Sequence, residues 1–199
     1  MKTQMRFQKI FMIVSLVIAA LVIVYGVIFC SGTFFQIHQD MIVYNAVQDI
    51  ENVSGARALF YATQGVSNTL LTLGIIAVLI MALGFIMGNA KRRNYYITNY
   101  IATGLAVVFN IVVAIIIIVL LINVNTAIAG INWDIAAEAF NDIYPDQWHY
   151  STWTIPVGYV LAVILVLDAC GLGLNLLWKI KLMQGEKKLL EQGLVKEVA

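Results

Sequence analysis

Residues 153–178 read WTIPVGYVLAVILVLDACGLGLNLLW. One acid interrupts a run that is otherwise apolar, small or aromatic, with a single Asn near its end. The hydrocarbon core of a bilayer is about 30 Å thick, and a helix needs roughly 20 mainly apolar residues to cross it. This segment is long enough, and it is apolar on every face. An amphipathic surface helix would show one apolar stripe instead. The reading of this stretch decides the fold, and three more segments repeat it: Ile10–Phe29, Val66–Ala90 and Tyr95–Ile122.

The composition of the 199-residue chain agrees. It is 61% hydrophobic and 12% charged, with a mean hydropathy of +0.88. Soluble domains carry about 25% charged residues. An ordinary soluble domain, a disordered chain and a collagen are all excluded. Two Cys and two Pro also exclude a disulfide scaffold. The first span is not read as a signal peptide, because its apolar run exceeds the usual length of about 7–15 residues and no small-x-small site follows. Cys30 follows Val27-Ile28-Phe29, but Phe29 stands where a lipoprotein cleavage box needs a small residue. The expectation is an all-α integral membrane four-helix bundle forming one transmembrane domain over 1–199.

The net charge of +1 conceals a strong asymmetry. Lys2, Arg6, Lys9, Lys91, Arg92, Arg93, Lys179, Lys181, Lys187, Lys188 and Lys196 fall on one side of the four spans. Arg57 is the one base on the other side, with Asp40, Asp49, Glu51, Asp134, Glu138, Asp142 and Asp146. Positively charged flanks stay in the cytoplasm. Both termini and the Lys91–Asn94 turn are therefore expected inside, with outer loops at 30–65 and 123–152. Trp148, Tyr150 and Trp153 gather at the outer end of span 4, and Tyr95, Tyr96, Tyr100 and Trp178 near the inner face. Aromatic rings with a polar edge prefer such interfaces.

Each outer loop carries a short helical pattern. Ile42, Val43, Ala46, Val47 and Ile50 form one apolar face, and Ile135, Ala136, Ala139, Phe140 and Ile143 the other. Asp134, Glu138 and Asp142 recur every four residues and share the opposite face. Such a row could collect calcium, but calcium loops draw several oxygens around a Gly bend. A solvated acidic face is the plainer reading, and no metal site is expected. A shift of 93 positions pairs Thr33 with Thr126, Ile42 with Ile135, Ala46 with Ala139, Asp49-Ile50 with Asp142-Ile143, Phe60 with Trp153 and Gly65 with Gly158. Parallel repeats of this type occur in transporters, so the two hairpins are candidates for a duplication. Asn52-Val53-Ser54 has the form of a glycosylation triplet.

Asp168 is the one ionisable residue deep in a span. It lies about 16 Å from Lys179 and about 22 Å from Trp153 at 1.5 Å per residue. A charge there is costly, so an intramembrane acid is by default a functional candidate facing the bundle interior. No base lies at its depth, which favours the neutral acid. Counting from the span ends places Thr103 level with Asp168 and Asn110 about 8 Å further out. Asn99, Asn175 and Ser15 fall nearer the inner face. These residues make a candidate polar patch, either as a hydrogen-bonded strut between helices or as a proton or cation site. Close helix packing is expected at Gly84/Gly88, a GxxxG pair, and at Ala169/Gly173.

Cys170 lies about 25 Å below the outer end of span 4 and Cys30 at the outer end of span 1. They are too far apart for a disulfide, which needs Cα atoms within about 7 Å. Leu182, Leu189, Leu190 and Leu194 alternate with lysines in the basic tail 179–199, which reads as a short helix on the anionic inner leaflet. Gly185 and Gly193 would limit its length.

The search for chemistry is negative. His38 and His149 are loop residues, so no span offers a haem ligand. There is no HExxH, no phosphate-binding Gly loop and no Ser/His/Asp motif. No enzyme activity, cofactor or nucleic-acid partner is expected. Claudins and tetraspanins share the layout of four spans and two outer loops. The sequence has neither the Trp-Gly-Leu-Trp motif of the first nor the Cys-Cys-Gly of the second, and layout alone does not give function. Two readings remain. One is a non-enzymatic accessory or structural subunit of the plasma membrane that works by association with a membrane-protein partner or its own copies. The other is a small oligomeric transporter or channel using Asp168.

Overall fold

The computed structural model describes residues 2–31, 56–88, 95–131 and 153–191. They form four helices: α1 (Lys2–Ser31), α2 (Ala56–Gly88), α3 (Tyr95–Ala129) and α4 (Thr154–Glu191). No strand occurs among the described residues. All four helices are long and apolar enough to cross a membrane. The loop helices, the row Asp134, Glu138, Asp142, the glycosylation triplet, both histidines and the Lys91–Asn94 turn lie outside the described residues.

Each helix overruns the apolar segment that marks it. α2 begins at Ala56, not Val66, and α3 continues through Asn123 to Ala129. The α1–α2 and α3–α4 connections are thus shorter than the hydropathy suggests. At the other end α4 continues from span 4 through Gly185 to Glu191, so the first half of the tail extends the spanning helix and is not a separate element. A helix already nucleated in the hydrocarbon adds one hydrogen bond per further residue. One exposed Gly costs only about 1 kcal/mol against that.

The outward faces are Val, Ile and Leu. Val17, Val24, Leu79, Leu83, Val108, Ile115, Val160 and Val163 are all exposed. A soluble protein rarely exposes apolar surface on this scale, and lipid is its natural solvent. Trp153 and Trp178, near the two ends of the apolar run of α4, are half exposed, as interfacial rings should be.

The helices contribute to two compact units. The first comprises Met1–Ala19, Ile76–Val112 and Ile164–Ala199. Its core is Met12, Ala19, Ala77, Met81, Ala106 and Leu172, with Phe11, Phe85 and Phe109 packed around it. Gly84 lets α2 approach α1: a Cβ there would lie 3.1 Å from Met12 Sδ. The first glycine of the GxxxG pair therefore packs within the chain. Gly171 does the same for α4, where a Cβ would meet Phe11 Cε1 at 2.8 Å. Gly173 has nothing within 4 Å, so the small pair that includes Ala169 is used on one side only. Phe7 and Trp178 stack edge to face at 5.8 Å between centroids.

The second unit comprises Ala20–Ile75 and Val113–Val163. Here the Ser67 hydroxyl donates to the Gly26 carbonyl at 2.8 Å, fixing α2 to α1. A Cβ on Gly74 would lie 2.5 Å from Ile23 Cγ1. Gly158 sits between Tyr25 of α1 and Leu121 of α3. The Tyr25 hydroxyl passes over it and donates to the Thr154 carbonyl at 2.8 Å. Small residues at such crossings bring backbones close, which is the main source of helix association in lipid.

Candidate functional site: a buried polar cluster on three helices

Within the first unit the polar residues gather inside. Gln8 and Ser15 of α1, Thr103 and Asn110 of α3, and Asp168, Asn175 and Lys179 of α4 are all buried. The α2 residues in that core are Ala77 and Met81. Burying a polar group costs free energy unless it is hydrogen-bonded, so the partners decide what the cluster does.

At the centre Asp168 is 7% exposed, Ser15 1% and Asn110 2%. The Asn110 amide donates from Nδ2 to Asp168 Oδ2 at 2.7 Å. Ser15 Oγ lies 2.9 Å from Asp168 Oδ1, in position to donate. The same Oγ also lies 2.9 Å from the Phe11 carbonyl, one helical turn back. The carboxyl group thus joins α1, α3 and α4. Among the described residues, by contrast, Thr154 Oγ1 in the second unit is buried with no partner.

This geometry corrects the sequence-based depths. Asn110 is level with Asp168, and Thr103 lies two turns away along α3, about 10 Å. The count from span ends failed because those ends are not level: Lys179, taken as the start of the tail, is itself buried. Its Nζ donates to Gln8 Oε1 at 3.4 Å and lies 5.0 Å from the centroid of the Tyr100 ring. Neither Gln8 nor buried Lys179 was singled out from the sequence. The available signal was spacing. Gln8 and Ser15, Thr103 and Asn110, and Asp168 and Asn175 are each seven residues apart, two turns along one helix face.

Asn175 and Thr103 have partners of their own. Asn99 and Cys30 lie where side chains are not described. Cys170 is a free thiol on the exposed face of α4. Among the described residues no group of three or more His, Cys, Asp or Glu could hold a metal ion.

An all-helical chain with four helices able to cross a membrane, and a buried acid shared by three of them, is the class this architecture defines. No known protein family, curated protein or solved structure matches the chain.

Proposed function

We propose that this is a four-span protein of a microbial plasma membrane, with both termini in the cytoplasm, acting as a non-enzymatic accessory or structural subunit. It would work by association, through its outer loops or its basic tail. The observation that supports this reading is the state of Asp168. Both its oxygens are engaged by helices of its own chain, Ser15 on one side and Asn110 on the other. The one acid at membrane depth thus acts as a strut between helices, and the regions left for recognition are the acidic outer loops and the basic tail.

One observation favours a second reading, a small oligomeric transporter or channel for protons or cations. The buried polar residues of α1, α3 and α4 continue from Asp168 towards Lys179. Such lines of polar groups mark ion and proton paths in membrane proteins.

Reconstitution into liposomes separates the two. Proton and monovalent-cation flux is measured for the wild type and for Asp168→Asn. Association predicts no flux from either protein, with a membrane-protein partner co-purified through the loops or tail. Flux from the wild type that Asp168→Asn abolishes would overturn it.

A further inference from the structure

The hydrogen atoms at the Asp168 site can be counted. A hydroxyl carries one hydrogen, and an ionised carboxylate carries none. Ser15 Oγ has two oxygen neighbours at 2.9 Å, Asp168 Oδ1 and the Phe11 carbonyl. Its single hydrogen makes one of those bonds. The second needs a hydrogen from elsewhere, and the Phe11 carbonyl has none to give. A proton on Asp168 Oδ1 completes the set. Asp168 then donates to Ser15 Oγ, Ser15 donates to the Phe11 carbonyl, and Asn110 donates to Asp168 Oδ2. Each of the three bonds then has its own hydrogen, and no charge is buried.

The charged and titratable groups around the site agree. On the α1 part of this unit the buried polar residues are Gln8 and Ser15, while Arg6 and Lys9 are exposed. On α3 the titratable residue among the described side chains is Tyr100. On α4 the buried base is Lys179, eleven residues from Asp168 and about 16 Å along the helix, already engaged by Gln8 and Tyr100, while Cys170, Lys181, Lys187 and Lys188 are exposed. The α2 side offers Ala77 and Met81. Among the described residues no base lies beside Asp168 to balance a negative charge.

One step of seven residues towards the Lys179 end brings Gln8 on α1, Thr103 on α3 and Asn175 on α4, all polar. A line of polar side chains inside a membrane helix bundle is the usual mark of a proton path.

From this we infer that Asp168, with Ser15, Asn110 and the Phe11 carbonyl, is a proton-binding site that exchanges through the Lys179 end of the helices. The exchange is Oδ1–H giving its proton to water or hydroxide that arrives along Thr103, Asn175 and Gln8, leaving the carboxylate held by Ser15 and Asn110. The inference does not depend on the association reading, which the flux assay tests separately.

Infrared difference spectroscopy tests it on the full-length protein in sealed, oriented vesicles. The C=O stretch of a protonated carboxylic acid is read against Asp168→Asn. Vesicle sidedness is established by protease access to the tail. At neutral pH the wild type is expected to show an acid band that Asp168→Asn lacks. The band should lose intensity when alkaline buffer is applied on the tail side, and keep it when the buffer is applied on the other side. Ser15→Ala, which leaves the acid in place, should shift the band. It keeps the measurement informative if Asp168→Asn does not fold. Absence of the acid band at neutral pH overturns the proposal. So does a band that titrates from the side opposite the tail, or from neither side.

Discussion

Replacing Gly158 by alanine puts a methyl group against the Tyr25 hydroxyl and 2.7 Å from Leu121 Cδ1. Tyr25 is buried, and its hydroxyl is bound to the Thr154 carbonyl at 2.8 Å. It therefore has no free direction in which to retreat. Overpacking of this kind costs about 1–3 kcal/mol, and loss of the Tyr25 bond adds about 0.6 kcal/mol, the average for polar contacts in membranes. The better helix propensity of Ala returns about 1 kcal/mol. The net loss is about 0.6–2.6 kcal/mol. Tyr25→Phe removes the nearest atom and the bond together. Gly158→Ala should then cost about 1 kcal/mol less in that background, a coupling typical of residues in contact. Gly104 supplies a control, since nothing lies within 4 Å of the Cβ position there. Gly104→Ala should be neutral or stabilising by up to about 1 kcal/mol. The assay is unfolding in mixed micelles with increasing SDS, followed by circular dichroism. If Gly158→Ala costs the same with and without the Tyr25 hydroxyl, the packing argument is refuted. Equal losses at Gly158 and Gly104 would refute it too.

Three other outcomes follow from the same structure. Asp168→Asn should unfold within about 1 kcal/mol of wild type, because its C=O still accepts from Asn110 and its amide donates to Ser15. Asp168→Leu takes from the Asn110 amide its acceptor and leaves Ser15 only its bond to the Phe11 carbonyl, and should cost about 1–3 kcal/mol; equal losses in the same SDS titration would contradict the hydrogen count. Tyr100→Leu removes the ring beside Lys179 and should cost about 1 kcal/mol, whereas Tyr100→Ala and Tyr100→Leu behaving like wild type would show that the ring contact contributes nothing. Cys170 should react with a lipid-soluble maleimide and not with a charged one, as read by intact mass; labelling by the charged reagent would place that face of α4 in water.

The sequence was most legible where one physical cost dominates. Four uncharged runs mark four apolar helices because a charge in hydrocarbon is expensive. For the same reason Asp168 stood out as the acid to examine. Helix ends were less legible. Hydropathy marks the hydrocarbon, while the backbone stays helical into water, as at Ala56–Gly65 and Asn123–Ala129. The partners of Asp168 needed relative height, which one span does not carry. Ser15 and Asn110 were visible as polar residues, but Asn110 was placed too far out. Lys179 looked like the first residue of a tail because it is basic and follows an interfacial Trp. Its burial depends on Gln8 and Tyr100, distant in sequence. Of the packing glycines, Gly84 sits in a recognisable pair. Gly74 and Gly158 do not, and only the residues opposite them reveal their role.

The most direct test of the account is the topology of the chain. Single cysteines in a Cys30→Ser, Cys170→Ser background, placed at positions 45, 92, 140 and 195, would be probed in intact cells with a membrane-impermeant thiol reagent. The account predicts labelling at 45 and 140, and labelling at 92 and 195 only after the membrane is opened. Labelling of 195 in intact cells, or protection of 45 or 140, would contradict four spans with both termini in the cytoplasm.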